Sequence, residues 1–265
     1  GIDGYMATRT RHDKEPRIDN KRTRLILIAK NNAGYKSLIK LVTLSHIEGF
    51  YYKPRMDREL IEKYHEGLIC ISPSFAGEIT VHLKNNEEEK ARETADFYKK
   101  IFGPDFYLEI AHHPEIEDFP KLEKQIKEFA KKTNTPLVAA HDVYYIKPDD
   151  RDARNTLVSV QNTFGGSESS FDKKDEDFSF ITQKQANEFF ADIPEALDNV
   201  QKIVDECNLE IPLKQWKFPN FIIESGRTAD EELRHLAMEG MKKKEIAETP
   251  ELMQRINYEL EIIKN

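Results

Sequence analysis

Three places in the sequence set reactive side chains directly behind short apolar runs. Ser72-Pro73-Ser74 closes the run 68–72, His112-His113 follows 106–110, and His141-Asp142 follows 136–140. A fourth residue, His46, stands at the end of a helical pattern, just before the aromatic stretch Gly49-Phe50-Tyr51-Tyr52. Imidazoles and carboxylates drawn from several strand ends are what a metal-dependent hydrolase needs, because they supply nitrogen and oxygen ligands and leave positions open for water and phosphate. Each also has a plainer explanation. His46 suits the C-terminal turn of a helix, where a cation meets the dipole. The side chains of His112 and His113 point in different directions from an extended chain, so the pair reads as surface loop rather than as one site. His141-Asp142 is the strongest of the three, and on these residues alone a metal site and a purely structural role both stay open.

These positions matter only if the runs before them are strands. The segments 24–29, 68–72, 106–110 and 136–140 are of strand length, rich in Ile, Leu, Val and aromatics, and lack helical spacing. Helical patterns fall between them. One is capped at Asn32 and has Tyr35, Leu38, Ile39, Leu41, Val42 and Leu44 on its apolar face; others run from Asp57 to about Tyr64, from about Glu87 to Phe102 and from about Phe119 to Lys132. Alternation of this kind predicts βα units on a parallel sheet buried on both faces, with the working residues at the C-terminal strand ends. After Pro148 the pattern turns helical, at 149–161, 183–190 and 194–207, with a soft Gly/Ser loop at 165–170. The stretch 211–227 reads as a linker, and two more helices follow, at 228–247 and from Pro250 onward.

Bulk composition narrows the function. The chain has 265 residues, 38% hydrophobic and 33% charged, with a formal net charge of -8. An acidic balance argues against a surface that grips duplex DNA by itself, since phosphate contacts need a basic face. The cationic stretch 9–24 contains Arg9, Arg11, Lys14, Arg17, Lys21, Arg22 and Arg24, but Asp13, Glu15 and Asp19 interrupt it, and it reads as a solvated loop. The two cysteines, Cys70 and Cys207, cannot build a disulfide framework or a zinc knuckle. With no signal peptide and no membrane-length apolar run, the expected location is the cytoplasm. Both ends read as cut within a longer chain.

Several blocks together resemble one family, the alpha subunits of the bacterial C-family replicative DNA polymerases. They are 31–42 (Asn-Asn-Ala-Gly-Tyr-Lys-Ser-Leu-Ile-Lys-Leu-Val), 45–55 (Ser-His-Ile-Glu-Gly-Phe-Tyr-Tyr-Lys-Pro-Arg), 76–79, 136–139, 190–197 and 258–263. They occur in family order and span nearly the whole chain. The resemblance implies an α/β fold: an incomplete, distorted βα barrel of the PHP (polymerase and histidinol phosphatase) type over residues 1–212, followed by a helical extension, a linker and the first palm helices, over 213–265. It places the first barrel units upstream of Gly1. It places the Mg²⁺-holding acidic residues of the palm downstream of Asn265, so that this piece contains no catalytic residue of the polymerase. A barrel cut open in this way would expose sheet edge, which predicts marginal stability or aggregation.

The same resemblance implies a metal-ligand set. Asp3, in Gly1-Ile2-Asp3-Gly4-Tyr5, stands where the family has Glu, and His46 stands where it has the His of its Ser-His block. Asp142 is the Asp of the family's Asn-Asp-x-His motif, with His141 as a substitute ligand. Ser74 and Tyr144 occupy positions where ligands, a Cys and a His, are lost. Loss of a thiolate and an imidazole together weakens transition-metal binding, so Zn²⁺ or Mn²⁺ at a degenerate site is doubtful. The implied parent activity is DNA-directed DNA synthesis, with DNA and dNTPs as substrates and with a sliding clamp and a proofreading exonuclease as partners. Two other readings are a free-standing PHP phosphoesterase or 3′-5′ exonuclease, and a non-catalytic interaction module.

Overall fold

The computed structural model describes residues 1–165, 177–216 and 221–264. The chain divides into two compact units, Gly1–Ile211 and Pro212–Asn265. The first is built on a six-stranded sheet: β1 (Ile2–Ala7), β2 (Arg22–Ala29), β3 (Arg55–Met56), β4 (Leu68–Ser72), β5 (Phe106–Ile110) and β6 (Leu137–Ala139), in the order β3-β1-β2-β4-β5-β6. β4, β5 and β6 are parallel, as their apolar runs predict, and every residue of β4 and β5 is buried. The rest departs from the expectation. β2 runs antiparallel to both β1 and β4, so the sheet is mixed and is not a closed barrel. β1 carries Asp3 and Gly4, both poor strand formers, and its pairing with β2 and β3 makes it a strand.

Side-chain alternation divides the core in two. On one face Met6, Leu25, Leu27, Cys70, Phe106 and Leu108 pack under α1 (Asn32–Ile47), α2 (Arg58–Lys63), α3 (Glu78–Lys84), α4 (Glu88–Phe102) and α5 (Phe119–Thr133). On the other, Ile69, Ile71, Tyr107 and Val138 pack with Ile203 of α8 (Glu195–Glu206). α6 (Arg151–Gly165) and α7 (Gln183–Phe189) fall where helices are expected, whereas α3 has no counterpart in the sequence reading. The Gly/Ser loop expected at 165–170 lies outside the described residues beyond Gly165.

α1 is capped one residue earlier than expected. Asn31 is the N-cap, and its side-chain oxygen accepts from the Gly34 amide at 3.0 Å. Gly34 is required there, since a Cβ would meet the Gly67 carbonyl at 2.0 Å. The buried stripe of α1 is Leu38, Leu41 and Ser45, while Tyr35, Ile39 and Val42 are partly exposed, so the apolar face is narrower than the spacing implied.

The cationic stretch is largely exposed, as a solvated loop should be, but two of its residues are buried and tied down. Arg11 is buried, with Nη1 donating to Asp57 Oδ1 (3.1 Å) and Oδ2 (3.0 Å) and Nε to Glu48 (2.6 Å). Asp19 is fully buried and accepts from Arg9 Nε at 3.0 Å. Arg55, also fully buried, donates to four backbone carbonyls: Gly49 (3.0 Å), Asp19 (2.8 Å), Arg11 (3.1 Å) and Asp13 (2.9 Å). One guanidinium thus ties the β1–β2 loop to the turn before β3.

In the second unit Thr228 and Glu231 form a capping box that starts α9 (Ala229–Lys243), and Pro250 opens α10 (Pro250–Lys264). Arg234 of α9 donates to Asn257 of α10 at 2.8 Å. Residues 212–216 and 221–228 form neither helix nor strand, as expected of the linker, whose residues 217–220 lie outside the described set. Among the described residues no helix is long and apolar enough to cross a membrane.

Candidate functional site

The C-terminal ends of β4, β5 and β6 bring the candidate residues to one end of the sheet. Ser74, fully buried, clamps the β4 loop onto β5: its amide donates to Glu109 Oε1 (2.9 Å) and its hydroxyl donates to the Glu109 carbonyl (2.9 Å). The same oxygen accepts from the Ala111 amide at 3.1 Å. Both hydroxyl functions are therefore engaged, and Ser74 serves as a structural tie rather than a ligand.

Glu109 is the residue that sequence reasoning missed. It is 8% exposed, and burial pushes its pKa up from 4.5 to about 7 against the Ser74 amide bond; the nearby Asp142 charge raises it further and Arg24 opposes the rise. The available signal was a lone carboxylate in the otherwise apolar strand Phe106–Ile110.

Asp3 lies on β1, paired in register with Ile26 of β2. Its carboxylate accepts from Arg24 Nε at 3.1 Å through each oxygen and also takes the Arg24 Nη2. His46 sits exposed in the last turn of α1, the plain position first assigned to it. Both residues line an open cavity of about 300 Å³ at the β1 edge, among Ile2, Val42, Pro54 and Met56, but the Asp3 carboxylate is held by Arg24.

His112 and His113 diverge as expected, yet they are not a surface pair. His112 meets Glu123 at 3.2 Å and the Phe189 ring at 4.9 Å. His113 is buried, with Nδ1 2.9 Å from Glu115, and its ring stacks on His141 at 5.1 Å and 18° between Phe75, Phe119 and Phe178. His141 Nε2 donates to the Ser179 carbonyl at 3.0 Å. Burial lowers the His141 pKa, and neighbouring His113 lowers it further. Its Nδ1 and His113 Nε2 are buried and find no hydrogen-bond partner among the described residues. Tyr144 is half exposed, with Arg154 over its ring at 4.4 Å.

The six predicted positions are thus not brought together as a ligand set. Among the described residues no group of three or more His, Cys, Asp or Glu side chains could hold a metal ion. Asp3 is occupied by Arg24, Ser74 by Glu109 and Ala111, and His141 by Ser179. The residues present do not fit a PHP metal centre.

Residues 1–113 match the PHP domain family. The particular relatives are DNA polymerase III alpha subunits. The chain is 35% identical to DNA polymerase III subunit alpha of Borreliella burgdorferi, over 99% of this chain and 23% of that protein. It is 33% identical to the same subunit of Aquifex aeolicus, over 99% of this chain and 24% of that protein, and 35% identical to that of Campylobacter jejuni, over 83% and 19%. These similarities bear out the resemblance read from the motif blocks. The chain spans about a quarter of the length of the curated relatives it matches.

Proposed function

We propose that this chain is part of a bacterial replicative DNA polymerase, in which residues 1–212 are the C-terminal part of a PHP domain serving as a metal-free scaffold and residues 213–265 begin the palm. The observation that carries the scaffold reading is the engagement of Asp3, Ser74 and His141 by Arg24, Glu109 and Ser179. The parent protein would perform template-directed nucleotidyl transfer with a divalent ion such as Mg²⁺, acting on DNA and dNTPs alongside other replicase subunits. Uniform similarity to DNA polymerase III subunit alpha supports that assignment.

The test compares this chain with the whole gene product in primer extension and in 3′-5′ hydrolysis of single-stranded DNA, with Mg²⁺, Mn²⁺ and Zn²⁺ each supplied. The expected result is extension by the whole product and neither activity in this chain. Metal-dependent hydrolysis by this chain that disappears in Asp142→Ala would sink the scaffold reading in favour of a phosphoesterase.

A further inference from the structure

Arg55 gathers two loops into one corner of the first unit. Its buried guanidinium donates to the Asp13 and Asp19 carbonyls of the β1–β2 loop and to the Gly49 carbonyl, and it lies 5.3 Å from the centre of the Tyr51 ring. Residues 13–19 therefore abut residues 49–53, where the Tyr51 amide donates to the Lys53 carbonyl at 3.1 Å. In a chain of net charge -8, residues 9–22 and 48–55 hold eight lysines and arginines against four acids. Those acids are engaged from within. Asp13 accepts from the Thr10 amide and hydroxyl, Glu15 and Asp19 from Arg9, and Glu48 from Arg11. Lys14, Arg17 and Lys53 are exposed and have no ion-pair partner among the described residues.

Exposed rings stand in the same corner. Phe50 is 51% exposed and Tyr52 70%, and Tyr52 meets Tyr51 edge-on at 4.7 Å. Arg17 and Tyr52 also adopt φ values of 70° and 59°. That region is costly for any residue with a Cβ, and neither side chain offsets the cost by burial within the folded chain.

We infer that this corner is a binding surface for single-stranded nucleic acid, with Lys14, Arg17 and Lys53 meeting the phosphates while Phe50 and Tyr52 stack on unpaired bases. An unpaired strand offers backbone charge and free base faces together, and aromatic platforms beside cations match both. A duplex hides the base faces, and the acidic balance of the chain opposes it. An acidic peptide would satisfy the cations but leave the rings without stacking partners. The corner adjoins β3, at the opposite edge of the sheet from β6, and the inference goes beyond the scaffold reading, which requires no ligand here.

The experiment measures fluorescence anisotropy of labelled oligothymidylate, and of a labelled duplex of equal length, with the full chain at about 50–200 mM salt. Wild type binds the single strand more tightly, and three phosphate contacts give a slope of log K against log salt of roughly -2. Y52A weakens that binding about tenfold and Y52F does not, with thermal midpoints unchanged. K14Q/R17Q/K53Q removes most of the salt dependence. If Y52A lowers the midpoint, F50A tests stacking at the second exposed ring. Equal affinity for the duplex, ring variants that bind as wild type does, or no binding at the lowest salt overturns the inference. Tighter binding of polyglutamate than of oligothymidylate, read by competition, assigns the surface to an acidic peptide and also overturns it. None of these outcomes alters the primer-extension test of the whole gene product, so the two readings fail separately.

Discussion

Replacing Glu109 by Gln should stabilise the protein at alkaline pH and leave it nearly unchanged in acid. The carboxyl is 8% exposed and its pKa is held at about 7, against 4.5 for the free side chain. A displacement of that size corresponds to roughly 3 kcal/mol. Because the folded-state value is the higher one, the folded protein keeps the proton after the unfolded chain has released it. Any advantage from that proton is complete below pH 4.5 and is lost as pH rises through about 7. Above that, the wild type carries the full cost of a buried carboxylate. Gln retains an oxygen to accept the Ser74 amide and carries no charge. The expected gain at pH 8 is therefore up to about 3 kcal/mol, or a midpoint shift on the order of 5–10 °C for a unit of this size. Urea denaturation across pH 4 to 8.5, wild type against variant, measures it directly. A difference that does not vary with pH, or a variant less stable than wild type at pH 8, refutes the reasoning.

Two further substitutions probe the ties around the site. Arg55→Met strips the donors from the carbonyls of Arg11, Asp13, Asp19 and Gly49, at about 1–3 kcal/mol for each one left unpaired, so a loss of more than about 4 kcal/mol is expected. Limited proteolysis should then cut within residues 8–21, and an unchanged digestion pattern would count against the role given to Arg55. Ser74→Ala orphans the Ala111 amide and removes a donor from the Glu109 carbonyl, which should lower stability by about 1–3 kcal/mol in a denaturant titration; no measurable loss would mean the clamp is dispensable.

What the sequence revealed follows from the range over which each cause acts. β4 and β5 are legible because a strand buried on both faces must be apolar along its length. α4 and α5 are legible from local punctuation, the Gly103-Pro104 stop and Pro120 in the first turn. β1 is not, because its strand character comes from a partner in β2 beyond a long loop. Arg55 sits in a stretch that looks like exposed loop, and its acceptors are backbone carbonyls, which no side-chain pattern displays. At the site, the reading named Asp3 and His141 as ligand positions, and the structure pairs them with Arg24 and the Ser179 carbonyl. Whether a carboxylate faces an ion or an arginine depends on cross-strand register, and Arg24 lies 21 residues from Asp3.

The Arg55 clasp also has a consequence in time. Its acceptors at Asp19, Asp13 and Arg11 precede it by 36, 42 and 44 residues. On a ribosome adding roughly 5–20 residues per second, those carbonyls are synthesised some ~2–9 s before the guanidinium that closes over them. Until then these carbonyls lack the donors that Arg55 supplies, and only ties within the loop, such as Arg9 to Asp19, are at hand. The clasp on the β1–β2 loop therefore cannot be made until the chain has been extended through β3.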